Sequence, residues 1–183
     1  MKSRSLSIAL CLSLFVLGGC VGTPMRDAQF KAEPSSEDAL VTFVRDAVWM
    51  GDGIHFYLWD GDKFIGALSA GTMVQYRTTP GPHVFMANAE NWSYVTGDLK
   101  PGKHYYIKAN VFPGFGTARA ALVPVENSDE RRKKWHTDRK IKEVIPEKAD
   151  KYVQANVERA RAALQKANDG EVKAFEMTEQ HAQ

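Results

Sequence analysis

Cysteine and long apolar runs are both scarce in this chain. Cys11 and Cys20 are the two cysteines among 183 residues, too few for a framework of several disulfides. The one sustained apolar run, Leu6 to Leu17, has about a dozen residues, whereas a helix that crosses the hydrocarbon core needs roughly 20. These shortages argue against a disulfide-stapled scaffold and against a membrane-spanning helix in this run.

Motifs that carry chemistry are also missing. The sequence contains no Gly-x-Ser-x-Gly elbow, no His-Glu-x-x-His pair and no phosphate-binding glycine loop. His55, His83 and His104 fall at or near predicted strands, but no two of them have the spacing of metal ligands. Asp60 and Asp62 flank a glycine, which turn formation alone explains. We therefore predict a chain that is not an enzyme and that holds neither a metal nor a cofactor.

The N-terminal segment has the composition of an export signal. Lys2 and Arg4 precede the apolar run, and the run ends in Leu17-Gly18-Gly19-Cys20. This ending resembles the lipobox of bacterial lipoprotein precursors. The resemblance implies cleavage before Cys20 and a lipid on its sulfur, and two or more acyl chains hold a protein stably on a membrane. Residues 1–19 are accordingly predicted to be a signal peptide.

Removing residues 1–19 changes the charge balance. The segment holds two basic residues and no acidic ones, so the formal charge of +2 falls to zero, with 22 basic and 22 acidic side chains left. A balanced chain gives no support for a nucleic-acid partner, which normally requires a basic domain. Because Cys11 is removed and Cys20 carries the lipid, disulfides and cysteine-bound metals are excluded from the mature chain.

The amino-acid composition of the remaining chain changes twice. Residues 20–38 contain Pro24, Pro34 and few large apolar side chains, which predicts a lipidated N-terminus followed by a flexible tether. Residues 39–125 alternate short apolar runs with Gly, Pro and Asp, as β domains do. Residues 126–183 are charged and rich in helix formers, which predicts a helical C-terminal extension.

Eight strands are predicted in the β region, and turn residues separate them. Asp60-Gly61-Asp62 is a strong hairpin signal, while Pro80-Gly81 and Pro101-Gly102 suit type II turns. This spacing predicts a mainly β fold, a seven- to eight-stranded antiparallel β-sandwich followed by C-terminal α-helices. The predicted strands are Leu40–Asp46, Ile54–Trp59, Lys63–Ser69, Thr72–Thr79, His83–Ala89, Trp92–Thr96, His104–Val111 and Ala118–Val125.

Three short motifs in this region carry a family resemblance. They are Asp60-Gly61 leading to Ile65-Gly66, then Pro80-Gly81-Pro82-His83, and later Gly102-Lys103 followed by Tyr105-Tyr106. Together they resemble the PEGA-type domains of uncharacterised bacterial lipoproteins, over about half of the chain. The resemblance implies a small PEGA-like or Ig-like sandwich, exposed at the cell envelope and without established catalytic residues.

Alternation along the strands assigns side chains to faces. The predicted core residues are Ile54, Phe56, Leu58, Phe64, Leu68, Tyr105, Ile107, Ala109 and Val111. The opposite faces carry His55, Tyr57 and Trp59 on one strand and Tyr106 and Lys108 on another. If these strands are neighbours, the five side chains form an aromatic platform for a sugar ring or a partner's apolar side chain. The alternative is that the C-terminal helices cover this face and make it a second core.

Two helices are predicted after the sandwich. Asn127 and Glu130 indicate a capped helix that runs to about Val144, and Pro146 suits the first turn of a second helix ending near Gly170. The tail after this helix is predicted to fray. The first helix carries a basic row that would either contact anionic lipid headgroups or simply face solvent. This row comprises Arg131, Arg132, Lys133, Lys134, Arg139 and Lys140.

These observations favour a non-catalytic lipoprotein that acts as a binding or scaffold module in a bacterial envelope. Val21 follows Cys20 in place of the Asp that retains well-studied lipoproteins in the inner membrane. By family analogy we expect the periplasmic face of the outer membrane, with an envelope protein or glycan as partner besides the membrane itself. The alternative is an envelope hydrolase that uses Asp60 or Asp62 together with His55.

Overall fold

The computed structural model describes residues 23–47, 52–112 and 119–183. These residues form two β-sheets that face each other, so the prediction of a mainly β fold is confirmed. They contain eleven strands, whereas the sequence predicts seven or eight. The strands are β1 (Met25–Asp27), β2 (Ala39–Val44), β3 (Phe56–Asp60), β4 (Lys63–Leu68), β5 (Thr72–Thr78), β6 (Gly81–Asn88), β7 (Trp92–Leu99), β8 (His104–Phe112), β9 (Arg119–Pro124), β10 (Lys140–Val144) and β11 (Phe175–Met177).

The two sheets combine antiparallel and parallel neighbours. The first sheet has the order β1-β10-β5-β2-β8-β9, and the second has the order β11-β7-β6-β3-β4. Most pairs are antiparallel, but β2 runs parallel to β8, β10 to β5 and β11 to β7. The prediction of an antiparallel sandwich is wrong at these three pairs. Each joins strands that are distant in sequence, and turn signals between consecutive strands carry no information about such pairing.

The main core lies between the two sheets. Phe43 of β2 and Phe85 of β6 meet there edge to face, with ring centroids 5.5 Å apart. Most of the predicted core is confirmed. Phe56, Leu58, Leu68, Tyr105, Ile107 and Ala109 are buried in this core, and the partly buried Ile54 and Val111 pack against it.

Phe64 is the predicted core residue that lies elsewhere. The register between β3 and β4 shifts after Leu58, so that Leu58 pairs with Gly66 while Trp59 pairs with Phe64. This bulge adds one residue to β4, and Ile65 takes the inner position instead. Phe64 consequently packs on the outer face of the second sheet, against Trp59.

A short helix, α1 (Arg131–Asp138), packs on the outer face of the first sheet through the buried Trp135. The prediction that this helix continues to Val144 is wrong, because β10 follows it directly and pairs with β5 and β1. The β-branched Ile141 and Val144 favour a strand there. Ile141 also packs against the cluster around Trp135, which strand geometry permits.

The long helix α2 (Pro146–Asn168) covers the outer face of the second sheet. Its predicted limits are confirmed, with a proline in the first turn and Gly170, at φ +72°, just beyond the end. Ala160 and Ala163 are buried against the aromatic side chains of that face. The apolar side of α2 therefore docks on the sandwich.

The segment after the predicted signal is part of the first sheet. Strand β1 at Met25–Asp27 pairs with β10, and farther along Ala32 exchanges two hydrogen bonds with the Gln75 side chain, at 2.8 and 3.2 Å. The prediction of a flexible tether over residues 20–38 is therefore wrong for the part described, which begins at residue 23. Cys20 lies outside the described residues.

The C-terminal residues also pack against the sandwich. Strand β11 runs parallel to β7, and its buried Met177 lies so close to Gly97 that an added Cβ there would meet it at 2.9 Å. The backbone of Gln183 exchanges two hydrogen bonds with that of His104, at 3.0 and 3.2 Å. The predicted fraying of the tail is wrong, because this segment completes one sheet and touches the other.

Candidate functional site

The predicted aromatic platform is divided between the two sheets. Tyr57 and Trp59 lie on β3 in the second sheet, whereas Tyr106 and Lys108 lie on β8 in the first sheet. The outer faces of two opposed sheets point away from each other, so these side chains share no surface. The single platform is therefore wrong, although alternation places each of these side chains correctly on an outer face.

On the second sheet, α2 covers the aromatic side chains. Trp59 has no exposed surface, and the ring of Tyr57 stacks on that of Tyr152 with centroids 4.5 Å apart. His55, just before β3, bonds to the Ser69 hydroxyl at 3.1 Å, and burial lowers the pKa of its imidazole. The alternative prediction, a second core beneath a helix, describes this face correctly.

On the first sheet, Tyr106 joins two histidines beneath α1. Its hydroxyl lies 2.6 Å from Nε2 of His136 and 3.3 Å from Nδ1 of His104, whose Nε2 lies 2.8 Å from the Thr42 hydroxyl. Burial lowers the pKa of His104 to about 4 and raises the pKa of Tyr106 to about 12. Both groups are neutral near neutral pH, and the cluster is a polar contact between helix and sheet.

Asp46 gathers polar side chains at one end of this face. It pairs with Lys108 at 2.8 Å, and it accepts hydrogen bonds from the Trp135 indole at 3.0 Å and the Arg139 guanidinium at 3.3 Å. Burial alone would raise the pKa of Asp46, but these hydrogen bonds lower it. Lys108 and Arg139, both predicted as surface contacts, are thus tied to a carboxylate that joins α1 to the end of β2.

Some side chains of the predicted basic row are held by hydrogen bonds or ion pairs, and others are exposed without an ion pair. Arg131 forks onto Asp129, whose carboxylate also accepts the Arg131 backbone N–H at 2.9 Å. Arg132 donates to Asn127 at 2.7 Å and lies 5.3 Å above the Tyr106 ring. The N-cap position of α1 is Glu130, which makes no side-chain capping hydrogen bond, and the predicted cap Asn127 bonds to Arg132 instead. Among the described residues, three exposed lysines of the row form no ion pair: Lys133, Lys134 and Lys140.

The residues predicted for a hydrolase lie apart. Asp60 meets Nδ1 of His83 at 2.9 Å and accepts a hydrogen bond from the Tyr76 hydroxyl at 3.0 Å. Asp62 pairs with an arginine of α2 at 3.0 Å. His55 bonds to the Ser69 hydroxyl, so the structure does not bring it together with Asp60 or Asp62.

His83 is held by acceptors on both sides of its ring. Nδ1 faces the Asp60 carboxylate, and Nε2 lies 2.8 Å from the Thr79 carbonyl oxygen. Neither acceptor can donate, so both hydrogen bonds form only when both ring nitrogens carry hydrogen, which is the charged form of the imidazole. The hydrogen bond to Asp60 is the main reason that the pKa of His83 is raised. The pair is well sheltered, with 12% and 10% of the two side chains exposed.

The three histidines weighed as metal ligands do not converge. His55, His83 and His104 bond to three different groups. Within residues 23–47, 52–112 and 119–183, no three His, Cys, Asp or Glu side chains come close enough to hold a metal ion. The same ranges contain no helix that is both long and apolar enough to cross a membrane.

One cleft lies beside β11 and β8, and we call it the distal cavity. Its volume is about 600 Å³, and Met177 contributes an apolar wall. The hydroxyl of Tyr105 accepts the Lys100 backbone N–H at 3.0 Å, which fixes the rim. Charged groups of both signs surround it: Asp98, Glu176, Glu179, Lys100 and Lys103.

A second cleft lies where β1 and β10 approach β4, and we call it the proximal groove. Its volume is about 430 Å³. The lining includes Thr23, Met25, Ala67, Thr72, Lys140 and Lys142. The first two of these residues belong to the segment that follows Cys20 most closely in the described chain.

Most of the residues that line these two clefts carry no sequence signal of a site. The sequence predicts a tether at Met25 and a frayed tail at Met177, because both strands are only three residues long. The run Phe175-Glu176-Met177 does alternate apolar and polar residues, which is a weak strand signal. Nothing local in Thr23 or Met25 indicates pairing with a strand more than a hundred residues away.

Comparison with known proteins finds no relative of this chain. No protein-family model, no curated protein and no solved structure matches it. The resemblance to PEGA-type lipoprotein domains stays a prediction, which depends on three short turn and core motifs. The candidate sites are therefore the distal cavity and the proximal groove, together with the lipobox-like motif that precedes the described residues.

Proposed function

We propose that the chain is a non-catalytic lipoprotein of a bacterial envelope, held by a lipid on Cys20 and acting as a binding or scaffold module. The short positive and apolar segment that ends in Leu17-Gly18-Gly19-Cys20 supports the anchor. Val21 supports the periplasmic face of the outer membrane by family analogy. The two opposed sheets are compatible with a PEGA-like or Ig-like sandwich.

The observation that carries this proposal is that β1, the first described strand, and the distal cavity lie at opposite edges of the sandwich. β1 is an edge strand of the first sheet and begins five residues after Cys20. β11, which borders the distal cavity, is an edge strand of the second sheet and contacts β9 at the far edge of the first. A lipid on Cys20 would hold one edge near the bilayer and present the other to the periplasm.

The distal cavity suits a polar partner with a small apolar contact. Three carboxylates and two ammonium groups surround Met177, and the half-exposed Phe175 lies on the same strand. Interfaces of non-obligate complexes combine an apolar centre with a polar rim in this way. The volume lies within the range of sites that accept a small ligand or a few side chains. An envelope protein or a glycan is therefore the partner we propose.

The intact mass of the mature protein tests the anchor. We expect the mass of residues 20–183 plus a diacylglyceryl group, and an acyl group on the N-terminal amine. Cys20→Ala should move the protein from the membrane fraction to the soluble fraction of the envelope. An unmodified Cys20, or unchanged membrane fractionation of the variant, would refute the anchored function.

Site-specific photo-crosslinking tests the binding surface. A photoreactive residue replaces Glu179 in the distal cavity, and for comparison Glu158 on the exposed face of α2. We expect adducts in intact envelopes that occur only from position 179 and that weaken when Lys103→Glu is added. The same adducts from both positions would contradict a binding role for the distal cavity.

A further inference from the structure

The proximal groove carries more positive than negative side chains. Arg139, Lys140 and Lys142 are among its lining residues, and Asp138 is the one carboxylate among them. Small residues of the β4–β5 turn, Ser69–Thr72, form part of its lining. Because these side chains are short, they leave room in front of the cations for an incoming group.

The cations keep hydrogen-bond donors beyond their present partners. Lys140 is exposed and forms no ion pair within the described ranges, and Lys142 uses one ammonium hydrogen on Asp27 at 2.8 Å. Arg139 directs Nη2 to Asp46 and Nη1 to the Asp138 carbonyl oxygen, and its Nε is buried, so the accessible donors come chiefly from Lys140 and Lys142. Phosphate oxygens, which accept several N–H groups from Lys and Arg, match such a set of donors.

The groove also lies close to the predicted point of lipid attachment. Thr23 is part of its lining, and the sulfur of Met25 accepts the Ala67 backbone N–H at 3.2 Å beside it. Cys20 precedes Thr23 by three residues, so the two Cα atoms are separated by at most about 11 Å. A lipid on Cys20 would therefore hold the groove near the headgroup layer.

We propose that the proximal groove binds the phosphate of an anionic lipid headgroup in the bilayer that holds the Cys20 lipid. This inference rests on the proposed anchor. Each basic residue near an anionic leaflet favours contact about fivefold, the equivalent of about 1 kcal/mol. The anchor makes that contact intramolecular and so raises the effective headgroup concentration. Headgroup binding would determine which edge of the sandwich meets the membrane.

A chemically anchored protein tests the groove without depending on lipidation in a cell. Cys20 is the only cysteine of residues 20–183, a chain that contains every described residue. Its thiol can therefore be coupled to a maleimide lipid in preformed vesicles. Vesicles of phosphatidylcholine are compared with vesicles that also contain phosphatidylglycerol. A water-soluble reagent acetylates the lysines, and mass spectrometry gives the rate at each of them.

We expect Lys140 and Lys142 to react about fivefold more slowly on the anionic vesicles. Lys100, at the distal cavity, should react equally on both kinds of vesicle. Lys140→Glu should restore the reactivity of Lys142 on anionic vesicles, because it places a negative charge in the groove. Lys166→Glu, on the exposed face of α2, makes the same charge change and should leave the protection intact.

Equal rates on both kinds of vesicle would overturn the proposal. Protection of the same lysines by inorganic phosphate without vesicles would overturn it too, because the groove would then serve a soluble anion. The anchor is judged separately by the intact mass of the protein made in cells. If the lysines are not protected on anionic vesicles but Cys20 is lipidated in cells, headgroup binding by the groove is refuted and the anchor stands. An unmodified Cys20 in cells refutes the proposed anchor and the inference that depends on it.

Discussion

His83 links β3 and β6 through a charge. The Asp60 carboxylate and the Thr79 carbonyl each take one ring N–H, and the hydrogen bond to Asp60 raises the pKa above the ordinary 6.5. The folded protein therefore holds this proton more tightly than the unfolded chain does. The stabilisation is complete below about pH 6.5 and is lost as the pH rises through the folded pKa.

Replacing His83 with glutamine should lower the free energy of unfolding more at acidic than at alkaline pH. Glutamine retains a donor but no charge, and a hydrogen bond to a charged group contributes about 1.5–3 kcal/mol. Urea unfolding of both proteins at about pH 6 and about pH 9 measures the two differences. An equal difference at both pH values would mean that His83 is neutral in the folded protein.

His104 has the opposite pH dependence. Burial, with help from the nearby His136 and Arg132, lowers its pKa to about 4. As the pH falls from 6.5 to about 4, the unfolded chain binds a proton that the folded protein does not bind. The free energy of unfolding should therefore fall over this interval, by at most about 3 kcal/mol from this residue.

The variant His104→Gln should lose less stability on acidification than the parent protein. Glutamine can still bond to the Thr42 hydroxyl but does not titrate. The pKa values of His55 and His136 are also lowered, so these two residues contribute to the loss of stability at acidic pH as well. The variant should therefore reduce that loss only in part. Urea unfolding at about pH 7 and about pH 4.5 measures this slope, and identical slopes would contradict the assignment.

Among the elements, β9 shows how side chains can close the edge of a sheet. The Asn91 amide donates to the Ala120 carbonyl at 2.9 Å and accepts its N–H at 2.7 Å, and the Ser93 hydroxyl accepts the Leu122 N–H at 2.7 Å. An open edge otherwise invites pairing with another chain. A polar side chain of the β6–β7 connection and one of β7 thus take the place of a ladder partner.

The helix α2 depends on the aromatic side chains beneath it. Trp59→Ala should lower the free energy of unfolding by about 3–5 kcal/mol, because it removes a fully buried ring and leaves a cavity under the helix. Phe175→Ala is the control, since that ring is 52% exposed and should cost no more than about 0.5 kcal/mol. Urea unfolding followed by tryptophan fluorescence and circular dichroism measures both. Similar losses in both variants would show that α2 does not seal this face.

Elements were predictable from the sequence where the signal is local. Turn residues and alternation locate eight strands, and a first-turn proline with a glycine beyond the end locates α2. Ile65 and Phe64 exchange faces because of a bulge, which a strict two-residue period cannot show. The sequence predicts a helix at β10, because its charged residues resemble those of α1 and its strand partners lie far away in sequence.

At the scale of the whole molecule, both terminal segments belong to the fold. Deleting Glu171–Gln183 would remove β11 from β7 and break the two backbone hydrogen bonds between Gln183 and His104. It would also expose the core around the buried Met177. We expect a loss of several kcal/mol, on the scale of a large truncation in a core.

Thermal unfolding of this truncated chain and the full chain measures the loss. Phe175→Ser is a matched control, because it changes the same strand at an exposed position and should leave the midpoint nearly unchanged. Equal midpoints for the truncated and full chains would show that the tail adds nothing to the sandwich.

The candidate site was less predictable than the architecture. Two opposed sheets separate Trp59 from Tyr106, and no alternation pattern tells which sheet a strand joins. The two clefts depend on β1 and β11, whose partners come from the opposite end of the chain or from its middle. Such long-range pairing is set by the total packing of the molecule and leaves little trace in short segments.

The docking of residues 23–38 along the first sheet has a mechanical consequence. β1 is held to β10 by only three residue pairs, so it is the first part of the sheet to bear a pull on a lipidated Cys20. If β1 peels away up to β2, those sixteen residues extend to about 55 Å, and Met25 leaves its place at the edge of the inter-sheet core. The segment would then lengthen under tension, and β1 would pair with β10 again when the tension ends.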